Sequence, residues 1–265
     1  MIPSIVSFDV ETTGLQPFSE RIIELAAVRW RDGAPVETFQ SLVDPRRPID
    51  PGAIAVHGIT DADVAGAPGI ESVLPAFCEF AGTDPLAAHN AGFDTGFLTM
   101  ESLRAGVALR ERRVLDTLTL ARHAFRGLRS FRLESLSAQL DLGAEEHHRA
   151  LADAMTAGRL LYAALEKGGE APKAAWSMLR SADDLKLPVS LHCVQEALER
   201  ACDVSIDYQT AKGFAQDYLV RPIALVRVMN RPYLYARCRR SEEERTYRID
   251  RIRGARLPAP PETSF

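Results

Sequence analysis

Four carboxylates and one histidine stand out in this sequence because of where they fall. Asp9 and Glu11 lie two residues apart at the end of the β-rich run Ile5–Val10, so their side chains point to the same face of a strand and can converge on one ion. Two carboxylates held that close repel, and one is driven to take up a proton; a divalent cation lets both stay ionised. Asp94 follows His89-Asn90-Ala91-Gly92-Phe93, and Asp153 closes the stretch His148-Arg149-Ala150-Leu151-Ala152-Asp153. Four acids from three separated segments offer hard oxygen ligands for two Mg²⁺ or Mn²⁺ ions, which prefer carboxylate and water to imidazole or thiolate. Such a pair, roughly 3.5–4 Å apart, suits in-line displacement at a phosphodiester, which makes phosphodiester hydrolysis the expected chemistry.

The elements that must position these groups read as strands first and helices later. Ile5–Val10, Ile22–Trp30 and Thr38–Val43 are β-like runs separated by Glu11-Thr12-Thr13-Gly14-Leu15 and Asp32-Gly33, a three-strand meander. Leu86–His89 is a further short apolar run with His89-Asn90 at its end. Apolar periodicity predicts helices over about 70–82, 93–105, 116–125, 133–141 and 150–166, giving an α/β layer fold. Gly168-Gly169-Glu170-Ala171-Pro172 breaks the composition and is the candidate linker. Residues 173–202 read as helical with an interruption at Pro188, and from Val204 to Leu257 the pattern turns to β, including Ile223–Met229, Tyr233–Cys238 and Tyr247–Ile252. The Pro-rich tail from Pro258 to Phe265 is expected to fray.

With 265 residues, the chain has room for one large and one small core. No apolar run approaches the ~20 residues of a membrane helix and the N-terminus lacks a basic leader, so no membrane partner and a cytoplasmic location are expected. The four cysteines form no C-x-x-C pair, which points away from zinc and disulfide frameworks. Residues 1–202 carry 20 Lys+Arg against 28 Asp+Glu, and 203–265 carry 12 against 8. An acidic first part fits metal ligation, and a basic second part fits a nucleic-acid partner.

Phe8-Asp9-Val10-Glu11-Thr12-Thr13-Gly14, His89-Asn90-Ala91-Gly92-Phe93-Asp94 and His148–Asp153 resemble, in order, the three motifs of the DEDDh exonucleases, the family of the proofreading epsilon subunit of bacterial DNA polymerase III. The resemblance covers about residues 3–165. It implies a ribonuclease-H-like mixed sheet flanked by helices, with Asp9, Glu11, Asp94 and Asp153 as metal ligands and His148 as general base. The five-residue spacing in the family selects His148 over His147, which is expected to be an exposed neighbour. A neutral histidine is suited to accept a proton from water at cellular pH. The resemblance also implies that Thr12, Gly14 and Leu15 hold the terminal nucleotide, Leu15 against the base, and that His57, in Val56-His57-Gly58-Ile59-Thr60, lines its pocket. Asn90 belongs to the same substrate-facing group; Phe93 either stacks on a base or fills core. Asp116 reads more simply as a helix N-cap than as a ligand. Eight arginines fall between Arg104 and Arg132, either guiding single-stranded nucleic acid or forming a solvated helical face.

The segment from Val204 to Leu257 resembles the WYL domain, a small Sm- or SH3-like β barrel. It departs from that pattern at the name-giving tryptophan, where Pro232 precedes Tyr233-Leu234. The resemblance implies a surface for nucleic acid or a nucleotide-like ligand formed by Tyr208, Arg221, Tyr233, Arg237, Arg248 and Arg251. Strand alternation would put Tyr247 and Ile249 on one face and Arg248 and Asp250 on the other.

The expected organisation is an exonuclease domain over 1–167, a linker and helical connector over 168–202, a WYL-like domain over 203–258 and a tail over 259–265. The expected activity is metal-dependent 3′–5′ exonucleolysis of single-stranded DNA releasing nucleoside 5′-monophosphates. The rivals are a 3′–5′ exoribonuclease, a nucleotide-sensing regulator that binds nucleic acid with little nuclease activity, and a polymerase-bound proofreader.

Overall fold

A computed structural model of the chain describes residues 2–143, 148–179, 185, 187–210, 213–229 and 231–258. It divides into two compact units, Met1–Ser181 and Ala182–Phe265.

The first unit runs β1 (Ser4–Thr12), β2 (Ile22–Arg31), β3 (Ala34–Leu42), α1 (Pro51–His57), α2 (Asp61–Val64), α3 (Ile70–Ala81), β4 (Leu86–Ala88), α4 (Gly92–Ala105), β5 (Arg112–Asp116), α5 (Thr117–Ala124), α6 (Leu133–Leu140), α7 (Ala150–Gly168) and β6 (Trp176–Leu179). Its six strands form one mixed sheet in the order β3-β2-β1-β4-β5-β6, with β1–β4 and β4–β5 parallel and the other pairs antiparallel. Among the described residues this is the expected mixed sheet flanked by helices.

The central strand β1 is covered on both faces, and alternation sorts its side chains. Val6, Phe8 and Val10 join the core built with Leu74, Phe77, Phe97 and Leu98. Ile5 packs instead with Trp30, Leu115, Ala154 and Leu161. Ser7, on that second face, donates to the Ala154 carbonyl at 2.7 Å and accepts from Trp30 Nε1 at 2.8 Å. α7 can lie this close because of Gly158, where an added Cβ would sit 2.2 Å from the Trp30 indole. Asp9 and Glu11 continue the face of Ile5 and Ser7, toward the end of α7 that carries Asp153 in its first turn.

Residues 173–202 are not uniformly helical, contrary to expectation. Trp176–Leu179 is strand β6, antiparallel to β5 at the sheet edge; over four residues periodicity does not separate the two states, and pairing with β5 decides. Pro188 precedes a single 3₁₀ turn, and the helix α8 covers only His192–Glu199.

The second unit consists of α8 and the strands β7 (Val204–Thr210), β8 (Gly213–Val228), β9 (Arg231–Cys238), β10 (Glu244–Arg248) and β11 (Ile252–Arg256). They form an antiparallel sheet in the order β10-β9-β8-β7-β11. The barrel expectation is corrected here: among the described residues the sheet is open, and no ladder joins β10 to β11. β8 accommodates Pro222 at a register shift between Pro222 and Ala224, the kind of irregularity that tolerates a missing N–H donor. Val194 and Ala197 of α8 pack with Val204, Ile206, Leu225, Leu234 and Tyr247. Tyr247 and Ile249 are buried while Asp250 is exposed, but the expected strand Tyr247–Ile252 is broken by a 3₁₀ turn at Ile249–Arg251, so strand alternation does not extend past Arg248. His147 and residues 259–265 lie outside the described residues.

Candidate active site

Asp9 and Glu11 from β1 and Asp153 from α7 each present an oxygen within 4.8 Å of the other two. Asp94, in the first turn of α4, is buried just behind and accepts from the Val10 N–H at 3.3 Å. Burial, then the negative charges of Asp94, Glu11, Asp153 and Glu24, push the Asp9 carboxyl well above the usual range. Burial and the repulsion of Asp153, Glu24 and Asp94 push Glu11 to about 8 against the opposing pull of Arg149. Asp94 also rises to about 8, chiefly through burial, although two backbone N–H groups oppose the shift. Such a cluster is costly as carboxylates alone and suits divalent cations with hard oxygen ligands. The residues present therefore fit a metal centre, with Asp9, Glu11 and Asp153 converging and Asp94 beside them.

His148 sits immediately before α7 with φ at 64°, a backbone state uncommon for a non-glycine residue. Its N–H donates to Asp153 Oδ2 at 3.1 Å and its Nε2 pairs with Glu134 Oε1 of α6 at 2.6 Å. The start of α7 is fixed from below by Glu24 of β2, which is fully buried. Glu24 accepts from Arg149 Nε at 3.1 Å, Arg149 NH2 at 2.9 Å, the Ala150 N–H at 3.2 Å and Gln40 at 2.8 Å. Burial alone would raise its pKa, yet these donors hold it below the usual glutamate value. Neither Glu24 nor Glu134 was singled out by sequence reasoning. A lone acid inside the apolar run Ile22-Ile23-Glu24-Leu25-Ala26-Ala27-Val28 was the signal, since such residues are rarely buried unless paired.

His57 ends the short helix α1, which is capped by Asp50, opened by Pro51 and closed by Gly58 in the left-handed region; this N-cap, proline and glycine spacing was legible but unread. Its Nδ1 accepts from the Ile59 N–H at 3.0 Å, which leaves the proton on Nε2. Nε2 is buried and meets no hydrogen-bond partner of normal geometry. Burial pushes the ring below the usual histidine range, partly opposed by the Thr12 backbone and Glu24, so it is a neutral donor. Thr12 donates to the Gly14 carbonyl at 2.7 Å, shaping the turn from which Leu15 projects, 75% exposed. At Gly14 an added Cβ would press on Glu20 at 3.1 Å.

Asn90 holds a positive φ of 64°. Its N–H and that of Ala91 donate to Asp116 Oδ1 at 3.0 and 3.3 Å. Asp116 also caps α5 through the Leu118 N–H at 3.2 Å. Asp116 is thus the cap the sequence indicated, and in addition the clasp of the turn that carries Asn90. Phe93 is half-buried and packs on Phe97 with ring centres 5.0 Å apart, which favours its core role. Asp9, Asn90, His148 and Asp153 border one cleft of about 680 Å³ together with residues of α5, α6 and the segment between them.

In the second unit Tyr208 packs edge-on against Tyr247 at 5.2 Å, and its hydroxyl accepts from the Arg248 N–H at 3.4 Å. Arg221 pairs with Asp203 at 2.5 Å, Arg248 with Asp250 at 2.5 Å and Arg237 with Glu244 at 3.4 Å. Tyr233 and Arg251 are half-buried.

Residues 6–161 match the family described as Exonuclease, and residues 190–257 match the WYL domain. The chain belongs to this exonuclease family and carries a WYL domain. DNA polymerase III PolC-type of Caldanaerobacter subterraneus subsp. tengcongensis is 38% identical over 190 residues, 69% of this chain but 14% of the relative. The chain thus corresponds to about a seventh of that relative's length. Exonuclease X, solved in complex with 5′ overhanging duplex DNA, is 33% identical with a TM-score of 0.53, covering 64% of this chain and 97% of the other. The nuclease domain of 3′hExo, a DEDDh family member bound to rAMP, shares the fold at 21% identity, with a TM-score of 0.56 over 64% of this chain and 96% of that one. Among the described residues, no helix is long and apolar enough to cross a membrane.

Proposed function

We propose that this protein removes nucleotides from the 3′ end of single-stranded DNA, releasing nucleoside 5′-monophosphates, with two Mg²⁺ or Mn²⁺ ions held by Asp9, Glu11, Asp94 and Asp153. The observation that carries this reading is the meeting of Asp9, Glu11 and Asp153 within 4.8 Å on a chain of the exonuclease family. Bound there, the ions supply the positive charge that holds the phosphodiester oxygens and lowers the proton affinity of the attacking water. His148 accepts that water's proton at a ring nitrogen, and its backbone bond to Asp153 keeps it beside the acids. Leu15, exposed in the turn that follows Thr12, packs on the terminal base, and the backbone of Thr12 to Gly14 lies against the sugar. The buried His57 Nε2–H, which the Thr12 backbone meets without a bond of normal geometry, supplies a hydrogen bond to that nucleotide. In the second unit, Tyr208, Arg221, Tyr233, Arg237, Arg248 and Arg251 bind an anionic ligand, a nucleotide or the strand itself; such an anion must compete with Asp203, Glu244 and Asp250 for three of those arginines.

The test is digestion of 5′-labelled single-stranded DNA and matched RNA with Mg²⁺ or Mn²⁺, comparing wild type with Asp9→Ala and His148→Ala. A ladder shortening from the 3′ end, for wild type only, is the expected result. Faster loss of RNA would reassign the substrate, and equal rates for wild type and Asp9→Ala would remove the site.

A further inference from the structure

The eight arginines between Arg104 and Arg132 fall into groups once their surroundings are known. Arg104 donates to the carbonyls of Pro17, Phe18 and Glu20 at 2.9, 2.6 and 2.9 Å and ties down the loop after Leu15. Arg112 is buried and donates to the Gly82 carbonyl at 3.2 Å, and Arg113 lies 3.9 Å from the ring centre of Trp176. Those three serve the fold. Arg122, Arg129 and Arg132 are exposed and line the cleft that opens from Asp9, His148 and Asp153. Among the described residues none of the three forms an ion pair, and Glu134, the acid on the same wall, is engaged by His148.

The wall they stand on is a built feature. His89, at the end of β4, pairs through Nε2 with the Phe131 carbonyl at 2.9 Å and through Nδ1 with Thr117 Oγ1 at 3.0 Å. This fixes the backbone between Arg129 and Arg132, and the Arg122 guanidinium lies 5.9 Å from the Phe131 ring centre, within cation–π range. At about 680 Å³ the cleft exceeds what one phosphate fills and falls in the range of pockets that take a ligand of many atoms. Unpaired guanidiniums prefer phosphate oxygens, which they bind bidentately, and an aromatic face beside them accepts bases of any identity.

We propose that Arg122, Arg129 and Arg132 bind the phosphodiester backbone of the nucleotides 5′ to the scissile phosphate, with Phe131 stacking on one of their bases. The cleft is thus the track that feeds a single strand to the reacting centre. The proposal rests on the exonuclease reading for its direction but not for its existence, because strand binding is measurable without turnover.

The test has a binding arm and a turnover arm. In the first, a 5′-labelled (dT)12 and its ribose counterpart are titrated with Ca²⁺ as the divalent ion between 50 and 200 mM KCl. Substituting the three arginines together by alanine is expected to weaken binding at least tenfold at the low salt and to reduce the slope of log K against log[salt] by about 2, from ~0.7 per phosphate on single strands. The triple Arg→Lys protein keeps the slope, and Phe131→Leu weakens binding without changing it. Arg110→Ala with Arg126→Ala, exposed arginines of the same run that do not line the cleft, changes the slope by less than half as much. Wild-type affinity and slope in the triple alanine protein overturn the proposal, with DNA and RNA alike.

In the second arm, the nitrophenyl ester of thymidine 5′-monophosphate presents a scissile phosphate and no further strand. The triple alanine protein is expected to hydrolyse it within twofold of wild type while losing at least tenfold in kcat/KM on (dT)12. Equal losses on both substrates would place the arginines at the reacting centre and overturn the track. A wild type that hydrolyses neither sinks the exonuclease reading, and the binding arm still decides the cleft.

Discussion

In the second unit, Arg221 and Arg239 share Asp203, Arg237 reaches Glu244, Arg245 reaches Glu243 and Arg248 reaches Asp250. In the first unit Arg122, Arg129 and Arg132 line a cleft with no such carboxylate on them among the described residues. The bulk charges run the other way, since residues 203–265 carry 12 Lys+Arg against 8 Asp+Glu while residues 1–202 carry 20 against 28. Net charge is therefore a poor guide to free charge. The first unit brings Asp9, Glu11 and Asp153 together with Asp94 beside them, where burial and mutual repulsion disfavour the ionised forms when no cation is present, and its Arg122, Arg129 and Arg132 carry no carboxylate among the described residues. The second sets several of its acids directly on its arginines, with Asp203 serving two, so part of its positive charge is answered locally.

The contrast is broken most severely at the acid cluster. Asp153→Asn is expected to slow oligonucleotide hydrolysis at least ~10²-fold and, in metal-free protein, to raise the melting temperature because one repelling charge is gone. Asp9, Glu11 and Asp94 have folded pKa values above their ordinary ones. Their protonated forms therefore stabilise the fold fully below about pH 4, and that contribution is lost as pH rises toward about 8, where Glu11 and Asp94 ionise. Melting curves in chelator should fall by several degrees between pH 5 and pH 9, and saturating Mn²⁺ should remove most of the decline. A flat profile in chelator would mean that burial and mutual repulsion do not raise these carboxyl pKa values.

Next in size is Gly158→Ala, which drives a methyl group into the Trp30 indole. Overpacking of this kind costs roughly 1–3 kcal/mol, and moving α7 also moves Asp153, so both stability and kcat should drop. Glu24→Gln follows. It keeps the shape but removes the charge under Arg149 and Ala150, and with Arg149 45% exposed the loss should be about 1–2 kcal/mol. Because Glu24 positions the start of α7 without touching substrate, kcat should fall more than KM rises, and Glu24→Asp should recover part of it.

How much of this was legible in the sequence depended on the range of the interaction. Asp9, Glu11 and Asp153, which the fold brings together, and Asp94 and His148 beside them stood out because each sits in a short motif with fixed spacing, and strand alternation anticipates that Asp9 and Glu11 share a face. Glu24, Glu134 and Phe131 were not: their meaning comes from partners 125, 14 and 42 residues away, and no local pattern encodes that. β6 was missed because four residues at a sheet edge owe their state to β5, and the open sheet of the second unit because closure depends on how strands end. The run of arginines was visible as composition, but which of them are free is decided by Gly82, Trp176 and the loop at Pro17, all remote in sequence.

The smallest effect expected lies in the second unit, and it tests the comparison from its weaker side. Exposed ion pairs contribute about 0–1 kcal/mol, so a phosphate displacing Asp250 from Arg248 gains little beyond what it breaks. Arg221→Ala with Arg248→Ala should then weaken oligonucleotide binding by at most about threefold, against the tenfold or more expected for the cleft. Removing the competitor should act in the opposite sense: Asp250→Asn uncovers Arg248 and should tighten binding about two- to threefold while steepening the salt dependence by up to ~0.7. The gain should appear at 50 mM KCl and shrink by 200 mM as screening shortens. If Asp250→Asn changes neither affinity nor slope, the strand does not visit this face, and the arginines of the second unit serve its own packing.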